Sequence, residues 1–390
     1  MIVRNEAPRL AACLRSVQGF VDVLVFVDTG SEDETIAIAH QFGARVRSIP
    51  WEHDFAAARN VSLAEAQGDW ILVLDADETL VTTIVPTLQH LTHQPDVLLV
   101  NLLRQEVGAA QAPYSLVSRL FRNRPEVRFS RPYHELVDDS ITAILRQEPH
   151  WRIIDLPEVA ILHEGYQADA IARCHKVERA RTTLEIALKA YPEDAYLHSK
   201  LGALYVQMGD VTQGLSLLER GLTLNPEESP VRYELHYHLG IAYERVPDVH
   251  KALEHYNQAI QQPLLPWLKL GAYNNLGLLL QTQGDILGAS QVYTAMVEAL
   301  PNAAIAHFNL AITLKALGNF TGALEHYQRA IALDPTYVSA YRNLGVLLFK
   351  LGRVTESRAA FQQAIALYEA QQSPEATHLR QALAELGLYL

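Results

Sequence analysis

The sequence has few cysteines, no long hydrophobic run and no lysine in its first 165 residues. Two cysteines, Cys13 and Cys174, are too few for a disulfide framework or a four-thiolate zinc site. This scarcity favours a reducing, cytoplasmic environment. No apolar run approaches the ~20 residues that a membrane-spanning helix needs. The sequence therefore predicts a chain without a transmembrane segment, which leaves peripheral membrane association open.

The net charge of −12 is unevenly distributed along the 390 residues. Residues 1–165 contain 14 arginines and 23 acidic residues, a net of −9, whereas residues 166–390 have a net of −3. This balance argues against sequence-independent nucleic-acid binding, which depends on clustered lysine and arginine. It indicates that an acidic site, for example for a metal ion, would lie in the first part.

The first 165 residues alternate short β-branched runs with helical stretches. Strands are predicted at residues 23–27, 45–49, 71–74 and 97–103, and helices at 9–17, 35–42 and 56–67. Ser31 and Glu34 have the spacing of a capping box ahead of the second helix. This order predicts an α/β, Rossmann-like domain with a mixed, mostly parallel sheet. In such sheets ligands bind beyond the carboxyl ends of the strands.

Asp75 and Asp77 follow the predicted strand at residues 71–74. Alternate residues of an extended segment share one side, so these carboxylates can bind a hard divalent cation together with water or phosphate oxygen atoms. Asp28 ends another predicted strand, where its carboxylate suits a base N–H or a ribose hydroxyl. Arg59, in the helix before Asp75, is placed to meet a diphosphate. The structural alternatives are a surface turn for Asp75 and Asp77, a capping turn around Asp28, and a surface ion pair for Arg59.

The second part of the chain repeats itself. The pairs Leu276-Gly277, Leu310-Ala311 and Leu344-Gly345 are spaced by 34 residues, the period of tetratricopeptide (TPR) repeats. Five units are predicted after a connecting half repeat at 166–194 and before a capping helix at 372–390. The units span residues 195–228, 233–266, 270–303, 304–337 and 338–371.

Each repeat has small residues where its two helices meet and an aromatic residue in its second helix, such as Tyr293. We expect the aromatic residues to fill the groove between units of an all-α superhelix. The concave face is expected to hold a protein or peptide, either the acceptor of a reaction or a separate partner. The alternative is an array that serves only as a spacer or a dimerisation surface.

Several spaced motifs resemble a known family. They are Arg4-Asn5-Glu6, Val27-Asp28-Thr29-Gly30-Ser31, Ala58-Arg59-Asn60, Gly68-Asp69-Trp70 and Leu74-Asp75-Ala76-Asp77-Glu78. Their order resembles the family 2 glycosyltransferases with the GT-A fold, here followed by TPR repeats over the second part. The resemblance implies an inverting, hexosyltransferase-type enzyme that uses a nucleotide-diphosphate sugar as donor. It implies Mg²⁺ or Mn²⁺ at Asp75 and Asp77, and donor contacts from Asn5, Glu6, Asp28, Arg59 and Asp75.

The resemblance extends more thinly to later residues. Residues 118–123 and 133–135 resemble a segment of the family that implies Glu135 as the general base, which takes a proton from the acceptor. Asp138 and Asp139 are competing candidates for this role, and Asp77 is implied in catalysis through the metal. His163 is implied as a further ligand of the metal or diphosphate, although Glu164 stands where the family has tyrosine.

Met1 matches an internal methionine of the family pattern, so either the first strand is truncated, with a weaker base pocket, or the natural start lies upstream, and we expect the latter. Two other classes of function remain open. The chain fits a non-enzymatic TPR scaffold with a degenerate transferase head, or a nucleotidyltransferase, which also uses paired carboxylates. The second of these is weakened because no Gly-rich, basic phosphate loop occurs near the N-terminus.

Overall fold

The computed structural model of the chain describes residues 1–52, 54–109, 113–130, 136–164 and 170–388. The chain divides into two compact units, Met1–Val231 with Pro263–Leu268, and Arg232–Gln262 with Lys269–Leu390. The predicted domain boundaries remain predictions. Within the described ranges, no helix combines the length and the apolar composition that crossing a membrane requires.

A small parallel sheet opens the first unit, and its three strands lie in the order β1-β2-β3. Helices connect the strands, and Pro8 occupies the first turn of the first helix, where its missing N–H costs no hydrogen bond. The paired residues Val3, Asp28 and Ser48 end the three strands side by side, so the loops that follow meet at one edge. The elements are β1 (Ile2–Val3), α1 (Ala7–Ser16), β2 (Val25–Asp28), α2 (Thr35–Gln41), β3 (Arg45–Ser48) and α3 (Phe55–Glu65).

A second sheet of five strands follows, in the order β4-β7-β6-β8-β5. Only β6 and β8 pair in parallel, while the other three pairs are antiparallel. Hydrophobic clusters pack on its two faces, one around Leu88 and Leu102 and the other around Phe121 and Ile141. The elements are β4 (Trp70–Leu72), β5 (Glu78–Leu80), α4 (Val85–Thr92), β6 (Val97–Glu106), β7 (Tyr114–Arg122), α5 (Asp138–Gln147) and β8 (Arg152–His163).

Helices form the rest of the chain, which confirms the predicted α/β domain followed by helical repeats. Asp210, Asp248, Asp285 and Asn319 cap the N-termini of α8, α10, α12 and α14 by accepting a backbone N–H three residues ahead. The helices are α6 (Ala170–Ala190), α7 (Ala195–Met208), α8 (Val211–Thr223), α9 (Ser229–Arg245), α10 (Val249–Ile260), α11 (Leu270–Thr282), α12 (Ile286–Ala299), α13 (Ala304–Ala316), α14 (Phe320–Leu333), α15 (Val338–Lys350), α16 (Val354–Ala370) and α17 (Glu375–Glu385).

The repeat aromatics pack against the small residues of their own unit, and Tyr327 and Phe361 also share hydrophobic clusters with residues of the helix that follows, as expected for the groove between units. A Cβ atom added to Gly277 of α11 would lie 2.3 Å from the ring of Tyr293 in α12. The same contact pairs Gly240 with Tyr256 at 2.4 Å. A side chain at Gly240 or Gly277 would therefore force the ring to shift, because the ring of the second helix lies directly on the backbone of the first.

We predict that Gly277→Ala destabilises the repeats. Alanine normally favours a helix, but here its methyl group overlaps the Tyr293 ring, so we expect a loss of about 1–3 kcal/mol. Thermal unfolding of the full chain, followed by circular dichroism at 222 nm (a standard helix wavelength), measures the effect. The control Leu278→Ala changes the adjacent, largely exposed side chain and is expected to cost less than about 0.5 kcal/mol. An unchanged midpoint for Gly277→Ala would contradict the prediction.

Candidate active site

The segment that carries Asp75 and Asp77 crosses one end of the five-stranded sheet. It joins β4 to β5, which are the two edge strands, so it passes the ends of the strands between them. The strand before it ends at Leu72, two residues earlier than the sequence predicts, and a turn follows in which Glu78 N–H donates to the Asp75 carbonyl at 3.1 Å. Arg119 on β7 therefore reaches Asp75, and His163 on β8 reaches Asp77.

Asp75 is held by two arginines. Its Oδ1 atom lies 2.5 Å from Nη2 of Arg59 on α3, and its Oδ2 atom lies 2.9 Å from Nη2 of Arg119 on β7. Burial alone raises the pKa of Asp75, but Arg59 and Arg119 lower it by more, so the pKa lies far below its usual range. Asp75 is therefore an anion with a guanidinium group on each oxygen.

Glu78 is a buried carboxylate that holds the backbone of Asp75. Its side chain has no solvent exposure, its Oε2 atom accepts the Asp75 backbone N–H at 2.9 Å, and its Oε1 atom accepts Nη1 of Arg104 at 2.9 Å. Arg119 lies 3.8 Å from the same Oε1 atom. A buried carboxylate is tolerated only when it is paired in this way. Glu78 consequently fixes the backbone of Asp75 and the position of both arginines on the strands.

Asp77 is linked to the sheet through His163. Nε2 of His163 lies 3.2 Å from Asp77 Oδ2, and Nδ1 lies 2.5 Å from Glu106 Oε2. Hydrogen bonds to Asp77 and Glu106 raise the pKa of His163 to about 9, so the ring carries a proton on both nitrogens at neutral pH. Glu106 in turn pairs with Arg104 at 3.0 Å. The contacts form a chain that runs from Asp75 through Glu78, Arg104, Glu106 and His163 to Asp77.

The acidic site that the sequence analysis expected carries no net negative charge, because its carboxylates face guanidinium groups and the protonated His163. Nη1 of Arg9 lies 3.7 Å from Asp77 Oδ2 and adds a fourth guanidinium group to the cluster. The four carboxylates are Asp75, Asp77, Glu78 and Glu106, and the four guanidinium groups are Arg9, Arg59, Arg104 and Arg119. The net charge of −9 in residues 1–165 therefore does not come from this cluster.

The strand ends of the parallel sheet hold the other predicted donor residues. Asp28 is buried, and its carboxylate accepts the backbone N–H groups of Gly30 at 3.1 Å and Ser31 at 3.2 Å. Asn5 has a positive φ of 56°, and its side chain accepts Glu32 N–H at 2.8 Å. These contacts tie the loops after β1 and β2 together, so both residues shape the edge where the predicted donor would bind.

The predicted capping box is wrong. Helix α2 begins at Thr35 with Glu34 as its N-cap, and Glu34 makes no side-chain capping bond. Ser31 Oγ instead accepts Asn5 N–H at 3.0 Å, and Asp33 accepts Thr35 N–H at 3.0 Å. The polar residues of the loop between β2 and α2 therefore bond within the loop and to Asn5. The Ser31 hydroxyl already accepts the Asn5 N–H and does not cap the helix.

Glu6 lies at the side of the cluster near Asp77. Burial, with repulsion from Asp77, raises the pKa of Glu6 above its usual value. The backbone N–H of Glu6 donates to Thr35 Oγ1 at 2.7 Å, which holds this residue at the start of α1. Asp75, Asp77, Arg59 and His163 are thus connected through one cluster, Glu6 is close enough to Asp77 to be affected by its charge, and Asn5 and Asp28 lie along the neighbouring edge.

Arg59 and Asn60 attach α3 to the chain beyond β7. The Arg59 guanidinium is buried and stacks over the ring of Phe129, with 5.8 Å between its central carbon and the ring centroid. The Asn60 side chain both donates to the Phe129 carbonyl and accepts its N–H, each at 2.9 Å. Arg59 is therefore a fixed member of the site.

A cavity of 230 Å³ lies beyond β3, next to the edge that holds Asp28. Its lining includes Pro50, Trp51, Asp54 and Val61, and Asp54 also caps α3 by accepting Ala57 N–H at 2.9 Å. Ile49, which lines it as well, donates its N–H to the Asp28 carbonyl at 2.9 Å. The cavity has room for a small planar group beside the predicted donor residues.

The predicted general base, Glu135, lies outside the described residues, as do Tyr133 and His134. Of its competitors, Asp138 accepts Ser118 Oγ at 3.1 Å and Asp139 accepts Ser130 Oγ at 2.6 Å. The described ranges contain no group of three or more His, Cys, Asp or Glu side chains arranged to hold a metal ion. The base and the metal therefore remain predictions.

Comparison with known proteins gives the family. Residues 1–154 match the model of glycosyl transferase family 2, and residues 199–265, 313–352 and 338–370 match tetratricopeptide repeat models. A TPR repeat-containing protein of Synechococcus elongatus is 48% identical over 301 residues, which cover 77% of this chain and 75% of that protein. The chain is a TPR repeat-containing protein with a family 2 glycosyltransferase domain.

Other relatives are similar over shorter lengths. An uncharacterized glycosyltransferase of Rickettsia felis is 30% identical over 150 residues, 36% of this chain and 52% of that protein. This TPR repeat-containing protein thus spans about half the length of that relative. Among solved structures, the TPR protein YrrB has a TM-score of 0.40 and 19% identity, over 51% of this chain and 97% of its own.

Five members of the cluster are not among the residues predicted from the sequence: Arg9, Glu78, Arg104, Glu106 and Arg119. Arg104 and Glu106 alternate at the end of a hydrophobic strand, which places both on one face and was a usable signal. Glu78 and Arg119 lay inside motifs that were used only for the resemblance. Their pairing joins residues far apart in sequence, so only the fold shows it.

We predict that Glu78→Ala destabilises the glycosyltransferase domain by about 3 kcal/mol, because removal of one partner of a buried charge pair leaves Arg104 and the Asp75 N–H poorly satisfied. Urea unfolding of the full chain measures the loss. The control Glu65→Ala removes an exposed partner of Arg47 and is expected to cost less than about 1 kcal/mol. Equal effects of the two variants would contradict the prediction.

The stability that His163 contributes to the domain is expected to depend on pH. Because the pKa of His163 is raised to about 9 in the fold, its charged form stabilises the domain fully below its unfolded value of about 6.5. This stabilisation declines as the pH rises toward 9. The difference in unfolding free energy between wild type and His163→Gln should therefore shrink from pH 6 to pH 9.5, two values that bracket the window. For the exposed His378→Gln control we expect a small difference at every pH, and a constant difference for His163→Gln would overturn the prediction.

Proposed function

We propose that this protein is an inverting glycosyltransferase that moves a sugar from a nucleotide-diphosphate sugar to an acceptor bound with the help of its TPR repeats. The observation that carries the proposal is the placement of Asp75 and Asp77 across the end of the sheet, with arginines from α1, α3 and β7 around them. Guanidinium groups at this place suit a diphosphate leaving group, whose charge grows as the sugar–phosphate bond breaks.

The predicted donor residues that lie within the described ranges each have a proposed part in the donor site. Arg59 is fixed by Asp75 and Phe129 and presents positive charge to the diphosphate. Asn5 and Asp28 shape the edge for the nucleoside, and the cavity near Trp51 lies beside it. Glu6 is placed near Asp77 at the side of the same site.

The predicted Mg²⁺ or Mn²⁺ fits Asp77 better than Asp75. Both oxygens of Asp75 already contact arginine, whereas Asp77 has the weaker contacts at 3.2 and 3.7 Å. We propose that Asp77 holds the cation, with Asp75 beside it, once donor oxygens and water complete the ligand set. When bound, the cation neutralises charge on the leaving diphosphate. His163 orients Asp77, because both of its nitrogens face carboxylates.

The acceptor side of the proposal rests on prediction. Glu135 is proposed as the general base that takes the acceptor proton, while Asp138 and Asp139 hold serines of the neighbouring segment. The repeats are proposed to bind a protein or peptide, as acceptor or as partner, since arrays of this kind present extended surfaces. A cytoplasmic location is part of the same proposal.

A second candidate is a TPR scaffold whose transferase head is inactive. The observation that favours it is the occupation of both Asp75 oxygens by Arg59 and Arg119 in the free chain. This candidate predicts no donor turnover under any condition. Measurement of turnover therefore separates the two proposals.

We expect Asp75→Asn and Asp77→Asn each to reduce donor turnover by at least about 100-fold, because each removes a charge from the reacting site. A panel of nucleotide sugars is first screened for thermal stabilisation of the full chain with Mn²⁺, and hydrolysis or transfer is then measured for each donor that binds. The control Asp96→Asn removes an exposed carboxylate that pairs with Arg152 and should leave turnover unchanged. Absence of binding and turnover for all donors would support the scaffold.

A further inference from the structure

The two arginines on Asp75 differ in how firmly they are held. Arg59 has a side chain only 3% exposed and stacks on Phe129, so it has no free path away from Asp75. Arg119 is 12% exposed and faces two carboxylates, Asp75 at 2.9 Å and Glu78 at 3.8 Å. Arg119 has a second anionic partner available and can leave Asp75 without becoming an unpaired buried charge.

Arg119 also controls the electrostatics of the free site. Arg59 and Arg119 each contact one oxygen of Asp75, so the charge of this carboxylate is already compensated in the free site. A divalent cation at Asp75 would lie within a few ångströms of two guanidinium groups. Repulsion at such distances is large because the site is partly buried. The free cluster thus opposes binding of the cation that Asp75 and Asp77 are predicted to hold.

A donor diphosphate would reduce the repulsion between the cation and the guanidinium groups around Asp75. It brings negative charge and oxygen atoms that bind guanidinium groups in a forked geometry. Arg119 can then exchange Asp75 for the diphosphate or for Glu78, which returns the Asp75 oxygen to a cation. The exchange needs only a movement between neighbouring partners.

We propose that Arg119 is a gate of the cation site: in the free protein it excludes divalent cations from Asp75 and Asp77, and it yields when a diphosphate binds. This inference deepens the proposed function and rests on it only for the second half, the release by diphosphate. Arg119 acts as a positioning residue on Asp75. The resemblance to the family assigned it no catalytic or binding role.

The test measures cation binding directly, without turnover. Equilibrium dialysis of the full chain gives protein-bound Mn²⁺, alone and with ADP, GDP or UDP. We expect wild type to bind Mn²⁺ at least about tenfold more tightly with one of these diphosphates than without any. Arg119→Met should bind Mn²⁺ alone at least about tenfold more tightly than wild type, since it removes one positive charge next to Asp75.

Three further variants make the result specific. Arg119→Gln is a second neutral variant in case Arg119→Met does not fold, and Arg119→Lys keeps the charge and should keep the free site closed. Arg47→Met removes an exposed arginine of the same domain and should not change Mn²⁺ binding. Adding Asp77→Asn to Arg119→Met should abolish the gained binding, which locates the ion at the two aspartates.

Two results would overturn the proposal: no gain in either neutral variant, or a gain that persists in the double variant. Wild type that binds Mn²⁺ equally well with and without a diphosphate, and as tightly as Arg119→Met, would overturn it too. A gain in Arg119→Met without any effect of the three diphosphates supports exclusion by Arg119 and counts against the donor function. The failure of the gate and the failure of the transferase proposal are therefore distinct.

Discussion

The charge pairing of Glu78 is the constraint on which the end of the five-stranded sheet depends. A carboxylate without solvent exposure is stable only with ionic or hydrogen-bonding partners on its oxygens. Arg104 and the Asp75 N–H satisfy this requirement directly, and Arg119 lies close enough to share it. Because these partners come from β6, from β7 and from the crossing segment, one buried charge fixes three pieces of chain relative to one another.

Arginine is the residue that such a cluster needs. Its planar group donates in several directions at once, so Arg104 contacts both Glu78 and Glu106, and Arg119 lies between Asp75 and Glu78. A lysine has one compact charge and does not form the same fork. The absence of lysine from residues 1–165 agrees with a site built from shared guanidinium contacts. The same contacts make the site responsive, since a shared arginine can shift between partners.

The sequence predicts the periodic parts of this protein well. The repeat spacing around Gly277 and the alternating strands and helices follow from local patterns, and both appear in the structure. The capping box was wrong because Ser31 bonds to Asn5, its neighbour in three dimensions, instead of capping α2. The repeat spacing also does not show that the Tyr293 ring lies on the backbone of Gly277 in its own unit.

The candidate site was predictable only in part. Asp75 and Asp77 were identified from their spacing after a strand, but the arginines that hold Asp75 come from α3 and from β7, 16 and 44 residues away in sequence. No local pattern encodes such pairs, since they depend on which strands become neighbours. The mixed order β4-β7-β6-β8-β5 decides that Arg119 meets Asp75. The charged residues within mainly apolar strands, such as Arg104 and Arg119, were the sequence feature that could have indicated these pairs.

The ion pairs of the cluster show where the net negative charge of residues 1–165 lies. Four carboxylates and four guanidinium groups cancel in the cluster, so the net charge of −9 in residues 1–165 lies wholly outside it. At physiological ionic strength, exposed charges are screened over about 8 Å. Whether a cation binds is therefore decided by the contacts of Asp75 and Asp77 and not by the overall charge. A diphosphate alters those contacts directly, which the remote surface carboxylates do not.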